Sequence, residues 1–201
     1  MEIIRYKIKS TDELINKLRR VTMLKDQSVK PYLNAHISVI DIDPECLSPC
    51  QFYILKDELD SKIELQEAFK DINQDIFNIS GYIEFQISTE NSYRTLLPPV
   101  IEESIENDCR IYHLINDGMH RIFLSKLQKR RSKIILIRGA NVKYYAYPLP
   151  NGWHDVKIVN KIDKGLIKKI HRIRDNKRLY RNFDSVFMNC SRPRGIISNG
   201  N

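Results

Sequence analysis

Apolar and polar residues along the chain fall into two periods. From Ser10, the run STDELINKLRRVTML repeats Leu14, Ile15, Leu18, Val21 and Leu24 at helical spacing. Ser10 or Thr11 supplies an N-cap and acids fill the first turn, so a helix is predicted that ends before KDQSVKPY. HISVIDID, His36 to Asp43, alternates closely enough to be a strand. The following PECLSPCQFYILKDELDSKIELQEAFKDI reads as helical pieces around Pro44 and Pro49 that continue to about Ile72, with Pro44 suited to a first turn.

After a polar break, YIEFQIS, Tyr82 to Ser88, alternates as a strand. Pro98 and Pro99 cannot occupy a helix interior and suit an extended edge. Next come a predicted strand at Arg110 to Ile115, a helix from about His120 to Lys129, and the β-rich run SKIILIRG closed by Gly139. Beyond Gly139 the chain is first aromatic and turn-rich, with Tyr144, Tyr145, Tyr147 and Trp153, more readily core than pocket wall. It then becomes basic: GLIKKIHRIRDNKRLYRNF is predicted to be a helix, and NCSRPRGIISNGN a polar tail that frays. The predicted class is α/β (α+β) with a small mixed sheet. Residues 1–34 form an N-terminal helical segment, 35–140 a core, and 141–201 an aromatic and basic helical extension packed on it.

Charge is distributed unevenly. From Lys126 onward there are 19 Lys+Arg against 4 Asp+Glu, while the first 125 residues hold 14 against 21. That asymmetry points to a polyanionic partner, or to two halves that face each other within the fold. No run of about eighteen apolar residues and no hydrophobic leader is seen, so a cytoplasmic protein with no membrane partner is expected. Cys46, Cys50, Cys109 and Cys190 are too few and too irregular for a disulfide framework or a zinc site, and no metal ligands are assigned.

Candidate chemistry concentrates at INDGMHRIFLSK. A helix N-terminus carries unpaired amides and the positive end of the dipole, so it stabilises a phosphate before any side chain acts. Gly118 permits close approach, Arg121 offers a planar fork, and His120 can donate a hydrogen bond. Asp117 is the natural N-cap, or a carboxylate that orients magnesium. The alternative is an ordinary Asx-type turn in which His120 and Arg121 pair with local acids such as Glu102 or Glu106.

Pro98-Pro99-Val100, a strand, Asp117-Gly118-Met119-His120-Arg121, a helix and a further strand together resemble the ParB/sulfiredoxin superfamily, over about Ala35 to Gly139. In sulfiredoxin the turn reads Gly-Gly-Cys-His-Arg, its His-Arg pair contacts ATP phosphates and its Cys is catalytic. The resemblance implies a ParB/sulfiredoxin-like core in which His120 and Arg121 hold nucleotide phosphates. Met119 replaces the cysteine, which removes thiolate chemistry. Glu106-Asn107-Asp108-Cys109-Arg110 has the spacing of the ParB E-N-x-x-R box but precedes the turn instead of following it, and no helix-turn-helix follows the core.

Free-serine kinases in the same superfamily use a carboxylate base, for which Glu102, Glu103 and Glu45 are candidates. The expected function is therefore a phosphotransferase or NTPase using ATP or another nucleotide with Mg²⁺ on a small-molecule substrate. Arg178 and Arg181 are candidates to reach back to the nucleotide. Two other readings stand beside it. One is a DNA- or RNA-binding or ParB-like nuclease protein that uses the basic C-terminal region. The other is a binding module without chemistry.

Overall fold

The computed structural model describes residues 1–190. In chain order these form β1 (Ile3–Lys9), α1 (Thr11–Leu18), β2 (Thr22–Met23), β3 (His36–Ile42), β4 (Tyr53–Leu55), α2 (Lys56–Asp71), β5 (Tyr82–Ile87), β6 (Arg94–Leu96), β7 (Val100–Ile105), β8 (Ile111–Asp117), α3 (Met119–Leu127), β9 (Ser132–Arg138), β10 (Lys157–Val159) and β11 (Arg181–Asn182). This is an α+β fold. Its central sheet has the order β3-β9-β7-β8, with β7 and β9 parallel and the other neighbours antiparallel, so the sheet is mixed as expected.

Alternation along the central strands sends successive side chains to opposite faces. Ile101, Ile115, Ile134 and Leu136 point to one face and share a core with Leu65 and Phe69 of α2 and Ile122 and Phe123 of α3. Val100, Ile135 and Ile137 belong to a second core with Leu14 and Leu18 of α1 and, from the far end of the chain, Phe183 and Phe187. The basic extension thus contributes to the core: β10 pairs with β4, and β11 with β2.

Several expectations need correction. Helix α1 stops at Leu18, leaving Leu24 exposed. Of the two expected N-caps it is Ser10 that serves, in a capping box with Glu13. Strand β1 was not expected, although Arg5, Lys7 and Lys9 alternate with Tyr6 and Ile8. Tyr53 to Leu55, read as helical, is extended because β10 pairs with it.

The predicted basic helix is absent; its residues run irregularly with one short 3-10 turn at Asn176–Leu179. Their carbonyls are taken by other segments. The Lys168 carbonyl accepts from Phe52 N–H, Ile170 from Tyr147 and Tyr180 from Leu24, and His171 bridges Ala146. Gly165, at φ 90°, also interrupts any helix there. Most of the expected polar tail, from Ser191 on, lies outside the described residues. No helix among the described residues is long and apolar enough to cross a membrane.

Candidate functional site

Strand β8 runs to Asp117, and Gly118 then adopts a left-handed conformation (φ 84°) as the N-cap residue of α3. A Cβ at Gly118 would lie 2.7 Å from Pro99 Cβ and 2.9 Å from Pro99 Cα. Backbone angle and the approach of the Pro-Pro segment both demand glycine. Asp117 is therefore the end of a strand and not the cap. No side chain caps α3 and no acid stands in its first turn, whereas α1 has its capping box and α2 opens on Asp57 and Glu58. The amides of Arg121 and Ile122 bond to the Gly118 carbonyl, both at 3.0 Å. Those of Met119 and His120 stand at the positive end of the helix.

The His-Arg pair divides in two. His120 Nε2 lies 2.8 Å from Glu58 Oε2 on α2, with the imidazole 15% exposed. Arg121 is buried, donates to the Leu97 carbonyl, and stands 3.9 Å from Asp117. Burial pulls its pKa below the ordinary arginine value, and Asp117 offsets part of that. Arg121 thus ties the Pro98-Pro99 approach to the turn instead of projecting from it. Neither residue pairs with Glu102 or Glu106, the partners considered for an ordinary turn.

Glu102 and Glu103 lie on β7, not on a helix surface, and adjacent strand positions face opposite ways. Glu102 is 2% exposed and accepts from Arg181 Nε at 2.9 Å and Nη2 at 2.6 Å, Tyr32 Oη at 2.6 Å and Asn116 Nδ2 at 2.5 Å. Burial opposes the Arg181 charge, but Glu102 and Tyr32 outweigh it and hold the guanidinium protonated. Both Glu102 oxygens are occupied inside the protein, so this carboxylate has no opening to a substrate hydroxyl.

Glu103 stands 3.2 Å from Arg138 and 3.8 Å from His113. Glu45 pairs with Lys126, and Arg178 with Asp175 on the exposed C-terminal turn. The structure therefore brings Asp117, Gly118, His120 and Arg121 together, sends Glu102 and Arg181 to the opposite face of the sheet, and leaves Glu103 and Arg178 elsewhere. Glu58 was missed. Its only signal in the sequence is an acid in a helical first turn, where acids are ordinary.

The family model of the ParB CE domain matches residues 13–157, more than half of the chain. The chain belongs to the ParB CE domain family. Searches of curated proteins and of solved structures gave no match. In this ParB CE domain the matched segment spans α1 from Glu13 on, all of the central sheet, α2, α3 and the turn between β8 and α3.

Thiol chemistry finds no support at that turn. Met119 is buried, and the thiol nearest in charge, Cys190, is pushed well above its ordinary pKa by burial first and by Asp117 second. Cys50 is likewise raised by burial, to about 12. Among the described residues no group of three or more His, Cys, Asp and Glu is placed to hold a metal ion.

Proposed function

We propose that this ParB CE domain binds a nucleotide with its phosphates at the N-terminus of α3 and transfers or hydrolyses a phosphoryl group there. The observation that carries the reading is the combination at one turn of a left-handed glycine, an uncapped helix with no first-turn acid, and a histidine paired to a carboxylate at 2.8 Å. Oriented amides and the dipole favour an anion at such an end. The superfamily resemblance points to the same ligand.

Roles shift from those expected of the sequence. His120, steadied by Glu58, stands beside the first-turn amides and takes the proton of an attacking hydroxyl or water as the new O–P bond forms. The bond to the leaving phosphate breaks, and its charge is met by the helix end. Asp117, 42% exposed at its side chain, is the carboxylate able to meet Mg²⁺ carried in on the phosphates, which needs only one or two protein carboxylates. Arg121 positions the turn.

The test is thermal unfolding with ATP, ADP or CTP and magnesium. Nucleotide raises the melting temperature of the wild type; His120→Ala removes most of that rise, and Glu58→Gln keeps binding but loses phosphate release. A wild-type melting temperature indifferent to every nucleotide overturns the reading.

A further inference from the structure

The β7–β8 hairpin carries a second feature that the phosphate turn does not use. At its turn end is a cleft of about 300 Å³ lined by Glu106, Asn107, Asp108, Tyr112, Tyr147 and Pro148. Tyr112 is five positions from Asp117 along β8, about 17 Å at the usual strand rise, so this is not part of the α3 site.

Its aromatic wall is held rigid. Arg172 lies over the Tyr147 ring at 4.3 Å, and the same guanidinium donates to both oxygens of Glu106, with one bond at 2.7 Å. The arginine is itself buried, at 7% side-chain exposure, so it backs the ring and does not compete for the cleft. Tyr147 N–H bonds to the Ile170 carbonyl at 2.9 Å, and Pro148 follows. Tyr147 nevertheless stays 40% exposed. An open, immobilised tyrosine face is a platform for a flat ring.

Charge selects what that ring is. Arg172 and Arg110 already answer the Glu106 and Asp108 carboxylates, so the rim holds no net positive charge to draw a phosphate inside, and the basic segment passes beside it at Ile170 and Arg172. The Asp108 carboxylate, half-exposed, is held by Arg110, through its N–H at 3.1 Å and its Nε at 3.4 Å, an exposed pair that costs little to open; with the Asn107 amide oxygen it can then accept at the edge. A base with adjacent ring N–H and exocyclic NH₂ donors satisfies a carboxylate in bidentate fashion; one with carbonyls at that edge does not. Arg110, paired with Asp108 at 3.4 Å and lying against Tyr112, is 74% exposed, so its guanidinium can exchange Asp108 for a phosphate outside the rim.

We infer that this cleft binds a guanine-type base, stacked on Tyr147 beside Tyr112, its donor edge on Asp108 and Asn107 and its phosphate outside with the basic segment. The base can belong to a free nucleotide or to a single strand, since both present the same ring.

The experiment measures binding of full-length protein to GMP, UMP and labelled twelve-nucleotide RNAs of alternating G and A or of U alone. GMP and the purine strand are expected to bind at least tenfold more tightly than UMP and the U strand. Tyr147→Ala should cost about tenfold, the loss of one stacked base, while Tyr147→Phe keeps affinity. Asp108→Asn should erase the preference for guanine. Strand binding with weak GMP binding assigns the cleft to single strands; equal binding assigns it to free nucleotides.

Equal affinity for an abasic strand, or no effect of Tyr147→Ala in a variant whose melting temperature is unchanged, overturns the inference. If Tyr147→Ala unfolds, Asp108→Asn decides alone through the GMP/UMP ratio. In His120→Ala, which takes nucleotide off the α3 turn, the guanine preference and its loss in Tyr147→Ala are expected to persist, so failure here and failure at the α3 turn are read separately.

Discussion

Glu102 is a carboxylate that sequence proximity placed near the turn before α3 and that the fold commits to an internal ion pair. With Arg181 at 0% and Glu102 at 2% side-chain exposure, neither charge has solvent to fall back on. Arg181→Met leaves Glu102 unpaired and is expected to cost about 3–5 kcal/mol in urea unfolding, the usual penalty for an orphaned buried charge. Glu102→Leu combined with Arg181→Met removes both charges and should recover a large part of that loss. If the single and double variants were equally unstable, packing and not charge would govern the site. Gly118 answers a different constraint, because its angle and the contact with Pro99 act together. Gly118→Ala should destabilise by more than the roughly 1–2 kcal/mol of a left-handed residue alone. Gly118→Asn, which tolerates that angle, should rescue little, since its Cβ meets the same proline.

At the scale of elements, what the sequence disclosed depended on whether a residue's partners were near it in the chain. Strands β3, β5 and β9 and helix α3 carry their own periodicity and lie where it puts them, as does the start of α1, whose end at Leu18 falls short of the apolar repeat. The turn before α3 was legible for the same reason, since strand, glycine and helix follow one another. The Glu58–His120 pair spans 62 positions and the Glu102–Arg181 pair 79, and nothing local announces either. The basic segment was misread because charge spacing says nothing of the carbonyls that Phe52, Tyr147 and Leu24 draw away from a helix.

That segment is fastened beside β7 by two ion pairs, the buried Arg181–Glu102 pair and, just past the strand, Arg172 on Glu106. Hydrogen bonds from Arg172, and then from Ser104, hold the Glu106 carboxyl below its ordinary pKa. A depressed carboxylate stabilises the fold at pH values above its unfolded pKa, and that contribution is lost as pH falls through the lower, folded value. The attachment should therefore be indifferent to pH from neutrality down to the carboxylate range and loosen below it. Amide exchange of Tyr147 and Arg172, normalised to amides of β9, is expected to rise on acidification, and Glu106→Gln should show the faster exchange already at neutral pH. Unchanged ratios at low pH would place the fastening elsewhere.

For the molecule as a whole, the two charged halves interleave without simply neutralising each other. Lys126, Arg130 and Arg131 answer Glu45, Asp75 and Asp41 across the body of the fold. Beyond Lys157 the positive residues outnumber their acidic neighbours, and most of that stretch is exposed. An exposed basic track past an aromatic cleft predicts a ligand whose affinity separates into two parts. Stacking in the cleft is insensitive to salt, whereas each phosphate neutralised along the track releases a counterion. For a twelve-nucleotide strand touching about four phosphates, the slope of log K against log salt should be about −3. GMP, with one phosphate at the rim, should show a slope shallower than −1. Replacing Arg174 and Lys177 together by Ser should flatten the strand's slope by about 1.4, two contacts' worth, and leave GMP affinity within twofold. Tyr147→Ala should do the reverse, lowering both affinities without changing either slope. Parallel slopes for strand and mononucleotide would mean that the basic track serves the fold alone and that the cleft reads isolated bases.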